Sequence, residues 1–450
     1  MNAISIYSQF WRYTLPTVAA MLVNGLYQVI DGIFIGHYVG GEGLAAINMA
    51  WPVIGFLVGI GMMVGVGTGI LVSIRQGENN IPDARQALTT GLSLLLILAP
   101  LLALALNRWA DLFMQWQGAE GRVADLALEY LQIQVFSCLF TLGGVALPFL
   151  LRNDNSPNLA TLLMVVGAVL NFVLDYLFIA WLNWELQGAA IATGLAQFVV
   201  TLIGVAYFFS SRTELYLSLH NWQIDVRRFP QVLSLGASSF FMYIYGSVMV
   251  ALHNAMLIQY GTPILVGAYA VIGYIIMIYY LLAEGIANGM QPLASYNYGA
   301  QRHDNIVKLL KVAMGSAILI GVLFVLVMNT WPVQIVSVFN NSDAELIDGA
   351  VAGIRWHMFA LFLDGLMVVA AAYYQSIGQS KKAMLITVSN MVVQFPFLMI
   401  LPVFFDVIGV WLAYPVSNIV IAAMVLIMLW RDFRNPVSAS DAIKSEMEAC

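Results

Sequence analysis

Charge is what this 450-residue chain has least of. Asp, Glu, Lys and Arg together make up 9 % of it, against 61 % hydrophobic residues and a mean hydropathy of +0.84. About a quarter of a soluble domain is ordinarily charged, so this composition excludes a soluble globular protein and predicts an all-α polytopic membrane protein. A basic excess is missing too. The net charge of −6 leaves nothing to neutralise a run of phosphates, and nucleic acid is excluded as a partner. Of the two cysteines, Cys138 lies in an apolar run and Cys450 ends the chain, which offers neither a disulfide framework nor metal-ligand spacing. No His-Glu-x-x-His, Gly-x-Ser-x-Gly or Ser/His pairing is found, so neither enzyme chemistry nor a cofactor is expected. The glycine-rich stretch from Gly59 to Gly69 is no phosphate loop, because no strand precedes it. The first apolar run, from Trp11, lacks an Ala-x-Ala cleavage site and reads as a first span rather than a cleaved signal.

What is present is length without charge. Apolar runs of about 20 residues, enough to cross a bilayer, lie near residues 11–36, 46–74, 87–106, 126–151, 159–181, 187–209, 230–260, 265–295, 306–330, 350–376, 383–404 and 408–430. This predicts twelve transmembrane helices. With the N-terminus in the cytoplasm, all of the 18 basic residues except Arg108, Arg122 and Arg355 fall on the cytoplasmic side. Basic residues accumulate there, so both termini are placed in the cytoplasm. The polar stretch 210–229 separates six spans from six, and the halves are alike. Arg75-Gln-Gly-Glu-Asn-Asn-Ile-Pro-Asp83 resembles Asn297-Tyr-Gly-Ala-Gln-Arg-His-Asp-Asn305, with Gly77 and Gly299 222 residues apart, and Gly188-Ala-Ala-Ile-Ala-Thr193 resembles Gly409-Val-Trp-Leu-Ala-Tyr414 at nearly the same offset. Six spans begin and end on one side, so the repeats are parallel and related by a pseudo-twofold axis along the membrane normal, an arrangement that commonly encloses a cavity. The expected organisation is an N-lobe over 1–209, a cytoplasmic linker over 210–229, a C-lobe over 230–430 and a cytoplasmic tail over 431–450.

Within these spans a few polar side chains stand out, because an ionisable group in a membrane helix costs about 2.5 to 3.5 kcal/mol on insertion scales and ordinarily faces a bundle interior or a wet cavity. Asp175 lies in the fifth span with Asn171 one turn earlier on the same face, and Thr193 of the sixth span can face them. Asn24, Gln28 and Asp31 form a second stripe in the first span. A meeting of the two stripes would bring together two carboxylates, an amide and a hydroxyl. Such a set holds either a shared proton or Na⁺ among hard oxygen ligands. Glu284, Asn288, Gln291 and Ser295 repeat every three or four residues along the eighth span as candidates for a cavity or gate, and Asp364 follows His357 by seven residues on one predicted face. His253 reads as a packing histidine.

Together these residues resemble one family. Val29-Ile-Asp-Gly-Ile-Phe-Ile-Gly36, the Asn171-x-x-x-Asp175 helix, the Gly188–Thr193 start of the next span and Gln291-Pro-Leu-Ala-Ser-Tyr-Asn-Tyr-Gly299 are similar, in this order and spacing, to the MATE family of multidrug and toxic compound extrusion transporters. The resemblance implies a V-shaped pair of six-helix lobes that export organic cations in exchange for Na⁺ or H⁺. It maps the family's N-lobe cation site onto Asp31, Asn171, Asp175 and Thr193, and its first-span proline, a proposed bend in coupling, onto Pro16. Some branches carry an acid in the seventh span, where this chain has Leu252-His-Asn-Ala255.

The expected function is secondary active efflux of lipophilic, cationic small molecules by alternating access, from a monomer in a bacterial inner membrane with lipid as its other partner. The alternative is a flippase for lipid-linked oligosaccharides. Its cavity should be cationic to hold pyrophosphate, whereas the in-span charges here are acidic.

Overall fold

The computed structural model describes residues 5–116, 120–218, 220, 222–339 and 344–434. The predicted tail beyond Arg434, with Cys450, lies outside them. Thirteen α-helices follow one another among the described residues: α1 (Ile6–Phe34), α2 (Gly41–Gly77), α3 (Ile81–Trp116), α4 (Gly121–Asn153), α5 (Pro157–Asp175), α6 (Glu185–Phe208), α7 (Phe229–Tyr260), α8 (Pro263–Gly299), α9 (His303–Thr330), α10 (Pro332–Ser337), α11 (Ala344–His357), α12 (Phe362–Ser376) and α13 (Ser380–Arg434). Helix is what a chain in lipid must form, because each backbone N–H and C=O needs an internal partner where water supplies none.

Ten of these helices are long and apolar enough to span a membrane, and α11 with α12 make an eleventh candidate bent by 54°. The protein is therefore a multi-pass membrane protein. Side chains such as Phe136, 84 % exposed, and Phe404, 73 % exposed, sit where only lipid suits them. The single span expected over 350–376 is broken: Leu361, Leu363 and Asp364 donate to carbonyls three residues back, which tightens the chain into a turn and ends the 3.6-residue register. His357 and Asp364 thus lie on two helices, and the seven-residue spacing does not put them on one face. The spans expected over 383–404 and 408–430 form one 55-residue segment broken at Asp406 (φ 49°, ψ −134°). Straight, it would run about 80 Å, more than twice the hydrocarbon thickness.

The chain forms two compact units. One comprises residues 19–244 and 295–302, the other 5–18, 245–294 and 303–434, so the boundaries fall inside α1, α7 and α8. In the first unit α2 is the axis. It is apolar all round, and 89 % of its most apolar window is buried, as befits a helix wrapped by others. Gly61 and Gly65 turn one face toward α4, where a Cβ at Gly65 would come within 2.7 Å of Ala146 Cα. Small residues let helices approach this closely where lipid supplies no hydrophobic drive. Gly77 and Gly299 meet the carbonyls of Tyr296 and Ile74 reciprocally. Each glycine and each carbonyl has its counterpart 222 residues away.

The stretch between α6 and α7 is tied to this unit. Leu217 N donates to Phe208 O at 2.8 Å, Trp222 Nε1 to Ser93 Oγ at 3.0 Å and Asp225 N to Thr90 Oγ1 at 3.1 Å, and Thr89 donates to the Gln223 carbonyl. Arg228 pairs with Asp83, which also takes Arg75 at 2.8 Å. The second unit has an aromatic and aliphatic core around Tyr279, Ile354, Leu361 and Trp411, each at most 1 % exposed.

Candidate ion-coupling site

In the first unit, the regular helical ladders of α1 and α5 both end just past a carboxylate. Residues Ile35–Val39 and Tyr176–Trp181 are π-helical turns, one directly after Asp175 and the other four residues after Asp31. Such turns appear mostly as single insertions, often at functional sites, because the extra residue re-aims the side chains around it. Here they accompany two acids that lie close enough to act on each other. Asp175 is fully buried and Asn171 is 3 % exposed. Asn171 Nδ2 donates to Thr193 Oγ1 at 3.2 Å. Asp31, Asn171, Asp175 and Thr193 are thus held by α1, α5 and α6 of one unit.

Both carboxylate oxygens of Asp175 and Oδ1 of Asp31 are buried outside good hydrogen-bond geometry. Among the described residues no Lys, Arg or His forms an ion pair with either acid. Two buried acids without a protein cation are an arrangement that a bound cation or a proton completes. No three His, Cys, Asp or Glu side chains converge as metal ligands among the described residues. The donor set is therefore hard oxygen, two of its four members charged, which suits an alkali cation or a proton better than a transition metal.

Sequence reasoning did not single out the second shell of this pocket. Tyr27 and Tyr130 face both acids. Gln134, 1 % exposed, bonds to Tyr130 and accepts from Thr141 Oγ1 at 3.2 Å and from Ser137 Oγ at 3.3 Å. Thr141 Oγ1 also donates to Gln197 Oε1 at 2.7 Å. The signal was available. Tyr130, Gln134, Ser137 and Thr141 recur at i, i+4, i+7 and i+11 along α4, the periodicity that picked out Asn24, Gln28 and Asp31 in α1. Asn24 and Gln28 are half-buried on α1 and take no part in the hydrogen bonds of the cluster. Pro16 lies inside α1, which runs through it.

The other polar residues lie elsewhere. On α8, Glu284, Gln291 and Ser295 are at most 4 % exposed, and Asn288 Nδ2 reaches Glu284 Oε1 at 3.5 Å. Beside Gly285 and Gly289 of that helix pass Val18 and Thr14 of α1. Asp364 heads α12, bonded to Tyr414 and Asn390, and Tyr245 Oη donates to Gln394 Oε1 at 2.5 Å. Next to them His253 stacks on Tyr269 with ring centres 5.1 Å apart and His357 stacks on Tyr414 at 4.7 Å. The imidazole Nδ1 atoms are held by the carbonyls of Met249 and Trp411 at 2.9 and 3.0 Å.

Comparison with known proteins gives this geometry a context. The family model for MatE matches residues 16–177 and 238–400. The chain is 24 % identical to the multidrug export protein MepA of Staphylococcus saprophyticus over 95 % of both sequences. It is 23 % identical to MepA of Staphylococcus aureus over 98 % of this chain and 97 % of that one. Among solved structures, an outward-facing multidrug resistance MATE family transporter of the MOP superfamily superposes with a TM-score of 0.89 at 25 % identity, covering 97 % of this chain and 96 % of that one. The MATE multidrug transporter DinF-BH superposes at 0.87 and 28 %, covering 94 % of this chain and 95 % of that one. The buried acids, the two-lobe helical fold and the match across most of the sequence converge on one conclusion: the chain belongs to the MatE family of multidrug efflux transporters.

Proposed function

We propose that this chain is a secondary active exporter of lipophilic, cationic small molecules, driven by Na⁺ or H⁺ bound at Asp31, Asn171, Asp175 and Thr193. The observation that carries this reading is the pair of buried acids with no basic partner in the unit. Two carboxylates in a low dielectric are a costly way to join helices but an effective way to take up a cation and let it go. The relatives named as multidrug exporters support the substrate class. A low charge content with an acidic balance, 24 Asp and Glu against 18 Lys and Arg, fits cationic cargo better than an anionic lipid-linked sugar.

Coupling follows from differential affinity. The ion and the drug must favour opposite states of an alternating-access cycle, since a ligand that binds both states equally shifts nothing. Ion entering from outside binds the acid pair and favours drug release; its departure to the cytoplasm resets the carrier. Glu284, Asn288, Gln291 and Asp364 belong to the drug route or its gates in this scheme, and Pro16 marks where α1 bends. The reading includes twelve crossings, made up by the bent α11–α12 pair and by dividing α13 at Asp406, lobes over 1–209 and 230–430, and cytoplasmic termini in a bacterial inner membrane.

The test is uphill efflux of a fluorescent lipophilic cation from proteoliposomes under an imposed Na⁺ or pH gradient. Efflux driven by at least one gradient and lost in Asp175→Asn is expected. Well-inserted protein that responds to neither gradient would overturn the reading.

A further inference from the structure

Between α4 and α6 of the first unit lies a polar group that the coupling scheme above does not use. Gln134, Ser137 and Thr141 come from α4 and Gln197 from α6. Glycines bring the two helices together there: a Cβ at Gly194 would sit 3.1 Å from Ser137 Cβ, and one at Gly143 would sit 2.7 Å from Thr201 Cγ2. The approach is close enough for short side chains to reach across, and Thr141 Oγ1 meets Gln197 Oε1 at 2.7 Å.

The arrangement of atoms is unusual for a packing contact. Both glutamines turn their carbonyl oxygens toward Thr141, Gln197 at 2.7 Å and Gln134 at 3.2 Å, and the Ser137 carbonyl lies 3.2 Å from the same hydroxyl. A threonine hydroxyl has one hydrogen to give. Three acceptor oxygens therefore compete for one proton. Ser137 Oγ adds a further oxygen, 3.3 Å from Gln134 Oε1. An excess of acceptors over donors at a site where Gln134 and Thr141 are each 1 % exposed leaves negative potential that a cation would satisfy. None of these groups carries charge or takes up a proton near neutral pH, so the cation they suit is a metal ion with hard-oxygen preference.

Position links this group to the acid pair. Gln197 lies one turn of α6, about 6 Å, beyond Thr193 in the direction away from Glu185, and Gln134 is bonded to Tyr130, which faces Asp31 and Asp175. Asn171 bridges to Thr193 at 3.2 Å. Polar side chains thus run without a gap from the acids to the inner cluster, on helices whose remaining faces are apolar.

We propose that Gln134, Ser137, Thr141 and Gln197 form an inner station for the coupling ion, one that accepts a partly dehydrated monovalent metal cation such as Na⁺ and passes it between the acid pair and the cytoplasmic side. The inference rests on the reading of Asp31 and Asp175 as the coupling site, and it adds a selectivity that the acids lack. Carboxylates serve Na⁺ and H⁺ alike. Neutral amide and hydroxyl oxygens serve only Na⁺.

The experiment compares wild type, Thr141→Val, Thr141→Ser and Gln197→Leu in proteoliposomes, measuring efflux of a fluorescent lipophilic cation under a Na⁺ gradient and, separately, a pH gradient. Radiolabelled Na⁺ flux is followed in parallel. Thr141→Val and Gln197→Leu should lower Na⁺-driven efflux and Na⁺ flux by about tenfold or more and leave pH-driven efflux within about twofold, while Thr141→Ser, which keeps the hydroxyl, should retain Na⁺-driven exchange. Three results would overturn the station: Na⁺-driven exchange unchanged in both apolar variants, loss of both drives together as packing damage would produce, or a wild type driven by the pH gradient alone. The proposed function fails separately, only if wild type responds to neither gradient.

Discussion

Asp154 offers a pH-dependent test that is independent of transport. It follows α4 at the end of the helix that carries Arg152 and Asn153, and is only 4 % exposed. Burial pushes its carboxyl up to about 6 from 3.8; hydrogen bonds from Thr213, Tyr207 and Gln76 pull the other way and Glu214 adds to the rise. The Tyr207 hydroxyl donates to Oδ2 at 2.8 Å and Ser156 touches the same hydroxyl at 2.8 Å. A folded value above the unfolded one means that the folded protein holds the proton more tightly. The associated stability is complete below about pH 4 and is lost as pH rises through about 6. The size of the rise corresponds to about 3 kcal/mol. Above that range the protein carries a buried charge, and Asp154→Asn removes the charge while keeping a carbonyl for Tyr207. Thermal unfolding in detergent at pH 8 and pH 5 reads this directly. Wild type should gain roughly 3 °C relative to the variant on going from pH 8 to pH 5, and the variant should melt higher at pH 8. A variant that melts lower at pH 8, or one with the same pH slope as wild type, would refute the account of Asp154 as a buried, uncompensated acid.

Other substitutions probe the remaining elements. Asp31→Asn and Asp175→Asn each remove one charge from a cation site; at a separation of about 4 Å and an effective dielectric of about 20 this is about 4 kcal/mol, a loss of ion affinity near a thousandfold, visible as a shift in half-saturating Na⁺ or in the pH midpoint of driven efflux. Gly65→Val forces a branched side chain against Ala146 Cα, 2.7 Å from where its Cβ must sit; it should cost at least about 3 kcal/mol and abolish a monodisperse size-exclusion peak. Arg228→Ala removes the pairs with Asp83 and Asp225, so the linker should loosen by about 1.5 to 3 kcal/mol and trypsin should cut at Arg212 faster than in wild type.

The pattern of apolar runs made the fold legible because a bilayer fixes both the length and the composition of what crosses it. The breaks were harder. Nothing in Met358-Phe-Ala-Leu361 signals the turn between α11 and α12, since no glycine or proline stands there and the turn is made by hydrogen bonds from backbone groups to carbonyls three residues back. The reversal at Asp406 is likewise a backbone event. In the candidate site, Asp31, Asn171, Asp175 and Thr193 stood out because charge and amides are rare in these helices. Tyr130, Gln134, Thr141 and Gln197 did not: tyrosine and glutamine are ordinary at membrane interfaces, and their role as a connected shell depends on α4 and α6 approaching through glycines, which one strand of sequence does not disclose. The linker read as a polar divider, and its side chains and backbone are in fact bonded to α3.

The repeat also explains why matching positions carry unlike chemistry. At an offset of 221 to 223 residues, Asp31 corresponds to His253, Asn171 to Gln394 and Thr193 to Tyr414. In the first unit these positions offer oxygen ligands with unspent lone pairs. In the second they are occupied by rings, with His253 stacked on Tyr269 and Tyr414 stacked on His357, and with the imidazole Nδ1 atoms committed to carbonyls. Gln394 takes the Tyr245 hydroxyl. A backbone frame that can be duplicated, as the reciprocal contacts of Gly77 and Gly299 show, constrains where side chains point and leaves open what they are. Stacked rings gain dispersion and exclude water, so the second set of positions packs as a core, whereas two carboxylates facing each other are stable only with a cation or proton between them. The asymmetry between the halves is therefore a difference in a few side chains on one scaffold, and it gives a single direction to the question of where an ion enters and leaves.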